Sequence, residues 1–259
     1  MDIISNEEIK AIIDKYNIGK RPLSIILGLG EVTVTRYLSD EYKPNAQNSE
    51  LLYSVLNDPG LYIVYLEKNK DKISSIAYGK SKTAVSKILN LSDEKDELLE
   101  NVAEYIVEHN IETTNLSLQK LLYYCQLFSY VLFDKPMFKS TCNAWEHGPV
   151  YEDVYYKYKM NGNNPIESTN SISIDLDTKK LVDAIIDNFG CFSGAVLCYF
   201  THSESPWKKS YDIASNIDNS DLKSFANKLK EEYQINDISD IDKYVKASIT
   251  NFKKNRGIN

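Results

Sequence analysis

The sequence predicts an all-α protein in two domains, the first over residues 1–90 and a compact second one over residues 91–259. Three observations carry this. Apolar residues recur three and four apart along most of the chain, in runs that open on Ser, Thr, Asn or Asp. The segment Thr114–Phe133 (TNLSLQKLLYYCQLFSYVLF) is apolar on nearly every side, which only a helix surrounded by other helices or by a partner tolerates. The third is charge. Residues 1–90 carry 12 Lys and Arg against 11 Asp and Glu, whereas residues 91–259 carry 18 against 26, so the net charge of −7 belongs to the second part.

In chain order, Asn6–Tyr16 reads as a short amphipathic helix with an Asn cap, two acids in its first turn and Ile9, Ile12 and Ile13 on one face. Pro22 opens a second helix running to Leu27, and Gly28-Leu29-Gly30 makes a tight turn. Glu31–Leu38 then turns Val34, Tyr37 and Leu38 inward and leaves Val32, Thr33, Thr35, Arg36 and Ser39 outside. The β-branched residues at 32–35 also fit a strand; the flanking short helices and the glycine turn favour a helix, and with it a helix-turn-helix. Ser49–Lys68 reads as a helix broken or bent at Pro59-Gly60. Residues 73–90 form another, whose Lys80, Lys82 and Lys87 read as a solvated face.

The second domain starts at Ser92, a cap followed by Asp93 and Glu94, with Leu98, Leu99, Val102 and Ile106 as its apolar stripe. The core helix comes next, capped by Thr114 or Asn115 and stopped by Pro136. Gly148-Pro149 reads as a turn feeding a tyrosine-rich helix over 151–160. Residues 171–177, where Ile172, Ile174 and Leu176 alternate with polar partners, fit one short strand or an extended arm. Helices follow at 179–189, closed by Gly190, from Gly194 after the cap Ser193, from Ser205-Pro206-Trp207, and at about 220–233 and 239–254.

Composition narrows the function. Hydrophobic content of 42% with 26% charged residues describes a globular chain, and no apolar run approaches the roughly 20 residues of a membrane span. The start, MDIISNEEIK, is acidic where a signal peptide is basic. Cys125, Cys142, Cys191 and Cys198 show no metal or redox spacing and read as reduced, packed thiols, which fits a cytoplasmic protein. Cys142, Glu146 and His147 lie close in sequence, but no third group is placed by spacing. No HExxH, phosphate loop or serine elbow occurs. The residues therefore point to no enzyme, no metal and no cofactor.

Two resemblances add to this reading. LGLGEVTVTRY, at residues 28–37 and the leucine before them, resembles the helix-turn-helix of antitoxin-type repressors. The resemblance implies operator DNA as a partner, a homodimer on paired half-sites, and base contact by Arg36, since a guanidinium fork matches two acceptors on guanine. Val32, Thr33 and Thr35 complete the implied DNA-binding set, although Val32 stands where that family often has Asn.

QKLLYY (119–124), KPMFKSTCNAWEHGPVYEDVYYKYKMNG (135–162) and FGCFSGAVLCYFTHSESPWKKS (189–210) resemble the Panacea, or SocA-like, domain in order and spacing. The resemblance implies an antitoxin that binds a cognate protein toxin encoded by an adjacent gene. It also implies toxin-binding or motif roles for Lys120, Tyr123, Trp145, Glu146, His147, Tyr151, Tyr155, Pro206 and Trp207. Lys120 and Glu146 are expected to pair; Trp145 and Trp207 either cement the core or anchor the toxin. The alternatives are a ligand- or partner-responsive transcriptional regulator, and an adaptor that delivers a bound protein to a protease.

Overall fold

A computed structural model describes residues 3–89, 91, 96–168 and 171–257. The fold is all-α with one small three-stranded sheet, in two compact units, 1–93 and 94–259. The expected domain start at Ser92 lies outside the described residues.

Unit 1 contains α1 (Asn6–Lys15), α2 (Lys20–Ile26), α3 (Thr33–Leu38), α4 (Ala46–Asn57), α5 (Pro59–Lys68) and α6 (Ser75–Leu89). Ser5, not Asn6, caps α1, in a reciprocal box with Glu8. Thr33–Leu38 is helical after the cap residue Val32, as the glycine turn suggested. Ser24 on α2 accepts the Val34 amide at 3.1 Å, and buried Val34 and Tyr37 hold α3 in place. Pro59-Gly60 does more than bend one helix. Asp58 ends α4 and caps α5 by accepting the Leu61 amide at 2.9 Å, so two helices meet there. Tyr16 and Tyr62 stack at 3.6 Å in the core, and each hydroxyl is satisfied, on the Val55 carbonyl and Ser81.

Unit 2 is wound around α8 (Asn115–Phe133), with α7 (Glu97–His109) before it. After α8 come β1 (Cys142–Trp145), β2 (Gly148–Val150), α9 (Glu152–Tyr158), α10 (Leu176–Phe189), α11 (Gly194–Ser203) and α12 (Ser205–Asp212). β3 (Asn216–Ile217), α13 (Asn219–Tyr233) and α14 (Ile241–Arg256) complete it. Thr114 caps α8, and all positions of the helix from Leu118 to Val131 are buried. Leu121, Leu122, Leu127 and Phe128 are fully enclosed, each worth about 1.5–3 kcal/mol.

The sheet departs from expectation. No strand forms at 171–177: residues 171–175 are irregular, Ser171 and the Ile172 amide bond to Glu108, and Asp175 caps α10. The strands lie instead at 142–150 and 216–217. There β1 pairs antiparallel with β2 on one side and with β3 on the other, in the order β2-β1-β3. Glu146 and His147 form the tip of the β1–β2 hairpin that sequence reading took for a simple turn.

Gly148 sets the closeness of the hairpin to α8. Its φ is +99°, and an added Cβ would lie 2.7 Å from Lys120 Cε and 3.0 Å from Thr201 Oγ1. Gly148→Ala should therefore destabilise unit 2 by about 2–3 kcal/mol. Both tryptophans lie in unit 2, so urea unfolding followed by their fluorescence reads this unit; a change below about 0.5 kcal/mol would contradict the packing described.

Candidate functional site

The buried helix α8 carries polar side chains, and each must find a partner away from water. Asn115 donates to the Tyr155 carbonyl at 2.9 Å. Gln119 accepts the Tyr151 amide at 2.8 Å, and Gln126 accepts the amides of Met137 and Phe138, both at 2.8 Å. Lys120, fully buried, donates to the Pro149 carbonyl at 3.0 Å. The expected Lys120–Glu146 pair does not form, because the hairpin turns Glu146 out to solvent and brings a backbone carbonyl to the amine instead. Burial lowers the Lys120 pKa to about 8 and pushes the neighbouring Cys142 thiol up to about 12.

Sequence reading missed the most buried acid among the described residues. Glu204, at the α11–α12 junction, is 3% exposed and accepts from three phenols: Tyr123 at 2.7 Å, Tyr124 at 2.9 Å and Tyr244 of α14 at 2.5 Å. Burial raises its pKa to about 7, against the opposing pull of those three hydrogen bonds. The tyrosine pair in QKLLYY was the available signal: two adjacent phenols on a buried helix need an acceptor.

The sequence-predicted residues of unit 2 separate into two layers. Lys120, Tyr123, Tyr151, Pro206 and Trp207 are interior. Tyr151 packs edge-on against Phe138, and Trp207 stacks on His202 at 3.9 Å while its indole N–H donates to the Trp145 carbonyl at 3.0 Å. Trp145 and Tyr155 are half-buried, and Glu146 and His147 are exposed. The Trp145 ring meets Tyr155 at 4.9 Å and Tyr156 at 6.2 Å, and its indole bonds Glu152, whose burial and neighbour Asp153 push its pKa up to about 7. Glu152 was not singled out by sequence, and Tyr156 only as one of the tyrosines crowding the helix over 151–160. His147 offers its backbone carbonyl to the Cys198 thiol, and the buried Cys142 is no exposed nucleophile.

In unit 1, Val32 is 49% exposed at the start of α3, Thr33 is half-buried, and Thr35 and Arg36 are exposed. The Arg36 guanidinium lies 5.6 Å from the Tyr42 ring centroid and 3.9 Å from Glu41. It borders a shallow cleft of about 250 Å³ shared with Thr33, Tyr37, Tyr42, Lys43 and Asn45. Among the described residues, no single helix is long and apolar enough to cross a membrane.

Residues 118–208 match the family model described as antitoxin SocA-like, Panacea domain. This segment is similar to the Panacea domain. It runs from the first turns of α8 into α12 and takes in every polar anchor from Gln119 to Trp207, while unit 1, α7, α13 and α14 lie beyond it. The match spans roughly a third of the chain. No curated protein and no solved structure matches the chain.

The Glu204 cluster has a signed pH consequence. An acid whose folded pKa is raised stabilises the fold fully below its unfolded value of 4.5, and that contribution is lost as pH rises to about 7. The loss is on the order of 3 kcal/mol. Urea midpoints of unit 2 should fall between these pH values, and Glu204→Gln should flatten the profile; an unchanged profile in that variant would contradict the assignment.

Proposed function

We propose that the protein is the antitoxin of a two-gene toxin–antitoxin module, binding a cognate toxin encoded by the adjacent gene through unit 2. The Panacea-domain match at residues 118–208 is the observation that carries this reading. The half-buried Trp145 and Tyr155 beside exposed Glu146 and His147 support it, because large rings with a polar rim suit protein recognition. A role by binding rather than catalysis follows, with no cofactor called for, and the site of action is the cytoplasm.

Unit 1 is the DNA-binding half of this proposal. Helices α2 and α3 with the turn between them serve as the helix-turn-helix, and Val32, Thr33, Thr35 and Arg36 are all at least partly exposed. A homodimer would set two such helices on half-sites one helical turn apart, about 34 Å, and repress the operon. The cleft beside Arg36 favours one second reading, a regulator that answers to a small ligand.

Growth of cells expressing the adjacent gene tests the main reading. Toxicity relieved by this protein is expected; a harmless neighbour, or toxicity without relief, would overturn it. Arg36→Ala should weaken operator binding at least tenfold in a gel-shift titration while leaving rescue intact. Loss of both activities together would contradict separate roles for the two units.

A further inference from the structure

We propose that Trp145, Tyr155, Tyr156 and Glu152 form the docking face for the partner protein, and that the partner meets it with a basic side chain, an arginine or lysine. The inference rests on the antitoxin reading and names the chemistry of the toxin's contact.

Three observations point to a cation. The first is an unpaired acid. Glu152 is half-buried beside Asp153, its one hydrogen-bond partner is the neutral Trp145 indole, and no Lys or Arg among the described residues pairs with it. A carboxylate held partly out of water next to a second acid is costly until a positive charge arrives. The second is the ring cluster. Trp145, Tyr155 and Tyr156 are half-buried and pack edge to face at 4.9–6.2 Å, and Lys159 lies over the Tyr156 ring at 5.6 Å, so a ring of this cluster already receives a cation. The third is charge: residues 91–259 carry 18 Lys and Arg against 26 Asp and Glu, which repels phosphate and draws in a basic surface.

The backbone of the face is also held. Trp207 holds the Trp145 carbonyl and Asn115 holds the Tyr155 carbonyl, so little backbone ordering cost remains when a partner binds. By contrast Tyr151 and Trp207, buried at 1% and 8% exposure, are supports of this face and not parts of it.

Calorimetry of the full chain with the purified product of the adjacent gene tests the proposal. Glu152→Gln keeps an acceptor for the indole and removes only the charge. The expected result is roughly tenfold weaker binding, with less sensitivity to salt than the wild type, and a melting temperature of the free chain no lower than the wild type's, since the charge removed is a costly one. Tyr155→Ala should weaken binding at least as much. An apolar or acidic contact gives the opposite sign, because removing a costly buried charge then tightens binding. Tighter or unchanged binding by Glu152→Gln would overturn the basic-contact proposal and leave the antitoxin reading standing. A wild-type chain that does not bind the product would overturn both.

Discussion

A helix with no solvent-facing side cannot leave its polar atoms unsatisfied, and this constraint organises unit 2. Helix α8 is buried along nearly its whole length yet carries Asn115, Gln119, Lys120, Tyr123, Tyr124 and Gln126. Between them they fasten the segments packed around the helix. Gln126 holds the chain at 137–138, Lys120 the hairpin at Pro149, Gln119 the entry to α9, Asn115 the middle of α9, and the two tyrosines Glu204. Apolar burial alone would hold helices against α8 in many registers. Directional bonds at 2.7–3.0 Å select one, since a slipped register leaves several buried groups unpaired at about 1–3 kcal/mol apiece.

The same bonds explain why the three motif segments belong together. Lys120 of the first reaches the carbonyl of Pro149 in the second; Tyr123 of the first reaches Glu204 in the third; Trp207 of the third reaches the Trp145 carbonyl in the second. Gly148 is the one residue type that lets the hairpin approach this closely. All of the first motif and parts of the other two are therefore architecture. What it supports is the half-buried or exposed set of Trp145, Tyr155, Tyr156, Glu146 and Glu152, part of which is the face proposed above for the partner. The glutamate hub also ties in α14, beyond the matched family segment, through Tyr244.

Much of this was legible in the sequence. Helix α8, its Thr114 cap and its burial follow from apolar residues on every side, and most other helices follow from three-and-four spacing with a capping residue. The sheet was misplaced for a physical reason. Alternation at Ile172, Ile174 and Leu176 satisfies a strand pattern, but that stretch has no pairing partner among the described residues and its backbone is held by the Glu108 side chain. The real strands are four, three and two residues long, too short to show a period, and exist because β1 finds an edge on each side. Site residues were recognised by type and proximity in sequence, which cannot separate support from surface. Tyr151 and Tyr155 look alike in the chain, yet the first, in extended backbone just before α9, is buried, and the second, within α9, is half outside. Glu204 escaped notice because an acid between Ser203 and Ser205 reads as a solvated cap; only the three converging phenols give it a role.

The claim that directional bonds from α8 specify unit 2 is tested most directly by a double-mutant cycle between Tyr123 and Glu204. Tyr123→Phe, Glu204→Met and the double variant would be compared by urea unfolding with tryptophan fluorescence. A coupling of about 1–3 kcal/mol is the result the account requires. Additive effects, with coupling near zero, would mean that shape and apolar burial hold these segments without the bond, and would contradict it.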